Sequence, residues 1–221
     1  MLVRSLVVGA GLAASLCALA QPPKESDCGV TTPASARTPR AEHAMSLREQ
    51  LRGEWDGQIQ VVTAEGASST GYASMSVRPR EGRLILAFEG VAGKKVVEGV
   101  GAMSFQGDEA ASVVDSAILG AQRAMMRVPC EEQGVLVFRA FETDAKGSPE
   151  IEQVVRMPDA NAVRIEFARV HADGRRERLA VMDMIRLPAG EVAMASAMLQ
   201  NEAKIKAVGQ QVQASVPATD E

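Results

Sequence analysis

Between Trp55 and Leu187 the chain is cut into ten segments of alternating apolar and polar residues, and no break between them is long enough to hold a helix. The segments lie around 55–63, 69–78, 83–89, 95–105, 111–118, 122–128, 134–143, 150–157, 162–171 and 177–187. A period of two marks strands with one buried face. The breaks are short runs of turn residues, such as "PREG", "PDAN" and "ADGR". Parallel strands need crossovers of about a dozen residues or more, so a parallel sheet is excluded and the strands are antiparallel neighbours. The expected fold is all-β: an antiparallel up-and-down barrel of about ten strands. Closure removes the two edges that an open meander would leave exposed; a two-sheet sandwich is the alternative. Gly99 and Gly101, two apart on one face, suit a sharply curved strand.

The flanks read differently. Residues 1–20 carry Arg4, an apolar run and Ala18-Leu19-Ala20, the pattern of a cleaved secretory signal. The residue before Cys17 is Leu16, which is large where a lipid-modified cysteine follows a small residue, so cleavage after Ala20 is expected rather than a lipid anchor. Removing the signal takes Lys+Arg from 24 to 23 against 28 Asp+Glu, a net charge of −5. Such a surface argues against nucleic acid, and no stable membrane span is expected after signal removal. The densest basic run, "GRRER" (174–178), reads as a solvated turn. Residues 21–44 read as a disordered linker rich in Pro, Ser and Thr. The barrel domain is expected over 45–188. It opens with a short capping helix in which Ser46 and Glu49 form a capping box, Leu47 and Leu51 share a face, and Gly53 ends the turn. A C-terminal helix is expected over 189–214, with Met194, Met198, Ile205, Val208 and Val212 in one stripe and Asn201 in its gap. That stripe either packs on the barrel or forms the seam of a homodimer. Residues 215–221 read as a disordered tail.

Chemical signatures are sparse. The chain has no G-x-S-x-G, H-E-x-x-H or C-x-x-C, and only two histidines, His43 and His171. No catalytic residue, metal ligand set or cofactor is expected. Loss of Cys17 leaves Cys28 and Cys130; in an oxidising compartment they either bridge or stay as two free thiols. All seven aromatic residues fall within the strand region, and methionines fill much of the remaining apolar volume. Met75, Met103, Met126, Phe138 and Phe167 are the candidate apolar lining of an adaptable interior. Arg169 shares a face with Val163, Ile165 and Phe167, and Asp183 shares one with Leu179, Val181 and Ile185. If both faces point inward, the two form an internal ion pair or the polar hook of a pocket. Met182 and Met184 occupy the other face of the tenth segment, which could equally be the inner one.

The run Leu51-x-Gly53-x-Trp55-x-Gly57, with a short helix before it and a meander after it, resembles the calycin superfamily, in particular bacterial lipocalin-like proteins of nitrobindin type. The resemblance implies that Trp55 seals one end of the barrel and that Arg186, at the end of the last strand, lies across its indole, with Gly53 and Gly57 leaving room. Nitrobindin-like proteins bind haem through a histidine late in the barrel; "RERLAVMDMIRL" has none, so haem is not expected. The expected function is non-enzymatic binding of a small apolar or amphipathic molecule in the cell envelope, the protein being exported to the periplasm or secreted. The alternative is an envelope interaction protein with a filled barrel, acting through its arm and C-terminal helix.

Overall fold

The computed structural model describes residues 47–63, 66–106, 109–128, 130, 132, 134–140 and 150–215. The expected signal, the linker, Ser46, Cys17, Cys28, His43 and the tail from 216 onward lie outside them. Ten antiparallel strands run in chain order: β1 Gly53–Val62, β2 Ser68–Arg80, β3 Arg83–Ala92, β4 Lys95–Gln106, β5 Glu109–Ser116, β6 Ala121–Val128, β7 Val135–Ala140, β8 Glu150–Asp159, β9 Ala162–Val170 and β10 Arg176–Arg186. Each pairs with its sequence neighbour, and β1 pairs with β10 to close the barrel. No edge strand remains, which is the physical reason for preferring closure over a sandwich.

One end of the barrel is a floor. Helix α1 (47–51) is only five residues long and draws its stability from burial, because so short a helix is not stable alone. Leu47 and Leu51 are both 3% exposed and join the barrel core. Trp55 is fully buried beside them, and its indole Nε1 donates to the Leu51 carbonyl at 3.1 Å. The Arg186 guanidinium lies 4.2 Å from the centre of the indole, a cation–π contact worth on the order of 1 kcal/mol. The same group donates to the carbonyls of Gln50, Arg52 and Ala160. Its surroundings are dry enough that desolvation lowers its pKa. Gly53 has φ +135°, and a Cβ there would run into the Arg186 guanidinium, so two independent constraints select glycine. Gly57 leaves room for something other than the ring: a Cβ there would strike the β10 backbone at Asp183 and Met184.

Above the floor the interior is packed. Phe88, Phe138, Phe167, Met75, Met103 and Met182 are each at most 2% exposed and share one apolar cluster. Gly99 accommodates the Phe88 ring and Gly101 abuts Leu86 and the β5 backbone, so these glycines make space for large side chains as well as for curvature. The buried polar pair Ser112 and Gln153 is satisfied across the interior, with Ser112 Oγ donating to Gln153 Oε1 at 2.8 Å.

The C-terminal segment comes in two pieces rather than one helix. A 3-10 helix spans Met194–Gln200 and α2 spans Glu202–Ser215. Asn201 is the break: its side-chain oxygen accepts from the Lys204 N–H at 3.2 Å, which caps α2. Ile205, Val208 and Val212 are buried on the outer face of the barrel against Ile85, Val100, Ala102, Ala111 and Val113. The 3-10 helix covers Ser74 and Ser76 on β2; the Ala195 N–H donates to Ser74 Oγ at 2.9 Å, and Ser76 Oγ donates to Glu54 at 2.8 Å.

The "GRRER" run is more than a solvated turn. Arg176 meets Glu152 at 2.5 Å and Glu166 at 3.5 Å, Arg178 meets Glu166 at 3.6 Å, and Arg139 meets Glu152 at 2.7 Å. Glu152 and Glu166 are buried on the outer face, and a buried carboxylate is stable only when so compensated. Nearby, Cys130 is disulfide-bonded and sits in a small cluster with Val135, Val137 and Val154.

Two measurements check this account. Trp55→Ala should lower the unfolding free energy by about 3–5 kcal/mol in denaturant titration, as for other buried aromatic truncations; a negligible loss would mean that the indole does not plug the floor. Tyr72, the only tyrosine, is held above the ordinary phenol range, at about 12, first by burial and then by its hydrogen bond to Asp56 and the charge of that acid. Ultraviolet titration should therefore show a late phenolate transition that moves down in Asp56→Asn. Because the folded pKa is the raised one, the associated stability is whole below about 10 and is lost as pH rises through about 12.

Candidate functional site

The end opposite Trp55 is open. A cavity of about 450 Å³ lies there, lined by the end of β1 (Val61, Val62, Thr63), the start of β4 (Lys95, Val96, Val97), the β5–β6 turn (Ala117, Ile118) and the β9–β10 hairpin (Arg169, Glu177, Leu179). Four parts of the chain, far apart in sequence, meet at this mouth because the barrel returns every second turn to the same end.

Its charged group is built by a bulge. On β10 the side chains of Ala180, Met182 and Met184 face the core, and regular alternation would put Arg178 inward next. The register shifts between Arg178 and Ala180, leaving Leu179 as the extra residue. One inserted residue reverses the face of everything beyond it. Arg178 therefore turns outward to Glu166, and Glu177 turns inward opposite Arg169. Arg169 Nη1 donates to Glu177 Oε1 at 3.3 Å, and His171 Nε2 lies 3.2 Å from Glu177 Oε2. His171 makes no hydrogen bond to a Ser, Thr or Cys among the described residues, so no nucleophile–base pair is formed there. Nor is there a group of three or more metal-ligating side chains among the described residues.

The expected lining residues divide into three groups. Met75, Met103, Phe138 and Phe167 do face the interior, but they are packed core below the mouth and none lines the cavity. Met126 does not face inward: Met125 takes the inner position on β6, and Met126 packs outside with the cluster beneath α2. Asp183 is also outside. Its side chain is 57% exposed and pairs with Arg164 at 2.9 Å, because the inner face of β10 carries the methionines. The internal Asp183–Arg169 pair therefore does not form, and Glu177 is the acid that meets Arg169. Counting outward from a two-residue Asp173-Gly174 turn would place Arg169 opposite Arg178; the loop also takes in Ala172, with the His171 N–H donating to the Arg175 carbonyl, and this shifts the register to Glu177. Regular alternation on β9 puts Arg169 inward with Phe167, but the bulge that turns Glu177 inward leaves no sequence signal.

A second cavity, of about 480 Å³, lies between α2 and the β2–β3 hairpin. Most of its charged groups are spent on each other: Arg80 meets Glu202 at 2.5 Å and Arg83 meets Glu81 at 3.9 Å. The mouth is the better site, since it combines apolar walls with a few polar groups in a concave end. No helix among the described residues is long and apolar enough to cross a membrane.

No family model matches the sequence, and a search of curated proteins gave no match. Solved structures do resemble it. Rv2717c from M. tuberculosis superposes with a TM-score of 0.50 at 12% identity, covering 67% of this chain and 99% of that one. The S-type phycobiliprotein lyase CpeS from Guillardia theta superposes with a TM-score of 0.49 at 8% identity, covering 71% of this chain and 99% of that one. At such identities the likeness concerns fold alone. With the ten-strand closure and the tryptophan floor, the chain has a calycin-like, lipocalin-like barrel fold, one compatible with holding a small molecule.

Proposed function

We propose that this protein is an exported barrel that binds a small apolar or amphipathic molecule at its open end. The observation that carries the reading is the mouth cavity, with apolar walls from Val61, Val97, Ile118 and Leu179 and a few polar groups at one site. Because the interior below is filled, the ligand lies at the rim and in the upper barrel, not along the whole axis. Export is supported by the signal-like residues 1–20 and by the disulfide at Cys130, since such bonds persist in oxidising compartments. We assign Cys28 as its partner.

The second reading, an envelope interaction protein with a filled barrel, is favoured by the tight packing around Phe88, Phe138 and Phe167. A dimer through the C-terminal segment would have to use the exposed Val192 and Met194, since the stripe on α2 faces the barrel.

A neutral environment-sensitive dye such as N-phenylnaphthylamine separates the two. The full chain should bind it with a fluorescence increase, and Ile118→Gln should weaken binding about tenfold, or 1.4 kcal/mol. Absence of dye binding, together with a dimer that forms as concentration rises, would favour the second reading. For the disulfide, thiol alkylation and mass spectrometry should find Cys130 unreactive until reduction, and reactive without reduction in Cys28→Ser. If Cys130 stays protected in that variant, the assignment of Cys28 is wrong.

A further inference from the structure

We propose that the ligand taken at the mouth is an anion: a carboxylate on an apolar tail, with Lys95 and Thr63 receiving the charged head. The inference rests on the mouth being a binding site and specifies what that site selects.

The charges at the rim do not balance. Among the described residues that line the cavity Glu177 is the single acid, and both its oxygens are committed, one to Arg169 at 3.3 Å and the other to His171 at 3.2 Å. Lys95 points into the same cavity from the first position of β4 and has no acidic partner among the described residues. Lys94 adjoins it in the β3–β4 turn but does not line the cavity. An acidic chain thus carries a mouth whose described lining is net positive, with Lys95 and Arg169 against Glu177, where an anion gains and a cation meets an acid already paired.

A second observation is independent of charge. Thr63 Oγ1, on the same lining, is buried and has no hydrogen-bond partner among the described residues. A buried hydroxyl left unmade is costly, and a ligand oxygen beside it would remove that cost. Together the ammonium and the hydroxyl offer a strong donor and a weak one, which suits a compact singly charged head. The rest of the lining is Val61, Val97, Ile118 and Leu179. Those walls give nothing to a small, strongly hydrated inorganic ion, whose water they would strip without replacement. They favour a head that brings a tail.

The test uses the full chain and three probes of equal tail length, namely octanoate, octanol and octyltrimethylammonium, in titration calorimetry. Octanoate should bind about tenfold more tightly than octanol, and the ammonium more weakly than either. Lys95→Gln should remove about that tenfold advantage and leave octanol unchanged, while Lys94→Gln leaves octanoate unchanged. Thr63→Val should weaken octanoate more than octanol. An unchanged unfolding midpoint confirms that each variant is folded. Equal binding of octanoate and octanol, preference for the ammonium, or full octanoate affinity in Lys95→Gln would overturn the anion assignment while leaving the mouth as a binding site. Failure of all three probes to bind would overturn the mouth reading itself.

Discussion

The contact on which this structure depends is one guanidinium laid over one indole. Arg186 ends the last strand, Trp55 opens the first, and β1 pairs with β10 where they meet. The cation–π term alone is small. What makes the arrangement stiff is that the same arginine also takes carbonyls from the turn of α1 and from the β8–β9 loop. Those carbonyls are the unpaired groups that a helix end and a tight turn would otherwise leave in a dry place. Closure of the sheet, capping of its end and satisfaction of the loops are therefore a single event, and each would be weaker without the others.

With one end sealed, the barrel fills from the bottom. Aromatic rings and methionines occupy the volume just above the tryptophan, and the glycines of β4 yield space to Phe88 and Leu86. Only the far end stays open, where the lining comes from strand ends and turns rather than from regular strand. The outside is equally committed on the side of β2 to β6, where the 3-10 helix and α2 cover serines and valines that would otherwise face water. The mouth is left uncovered by both.

The ten strands, their antiparallel order and the tryptophan floor were legible because each rests on local signals: a period of two, turn residues at regular intervals, and one short motif. Leu47 and Leu51 announced a helix that must rest on something, and they rest on the core. The candidate site was much less legible. Adjacent Met125 and Met126 carry the same chemistry, so nothing in composition says which is inside. On β10 the bulge at Leu179 inverts the alternation, and a pattern read as continuous puts Glu177 and Asp183 on one side, whereas Glu177 faces in and Asp183 faces out. Lys95, Thr63 and Ile118 lie in or next to turns, where the periodic signal has stopped. Their meeting is a property of closure, which brings together residues with no sequence relation.

The position of Trp55 also decides what light can report about this protein. The chain has one tryptophan, and it is fully buried at the end away from the mouth, with an arginine across its face. Packed side chains of the whole interior stand between it and any occupant of the rim. Its emission therefore reads the integrity of the floor and is nearly blind to loading of the mouth. Unfolding and occupancy can be followed as separate signals in one sample, the first by the native indole and the second by a label placed at the opposite end.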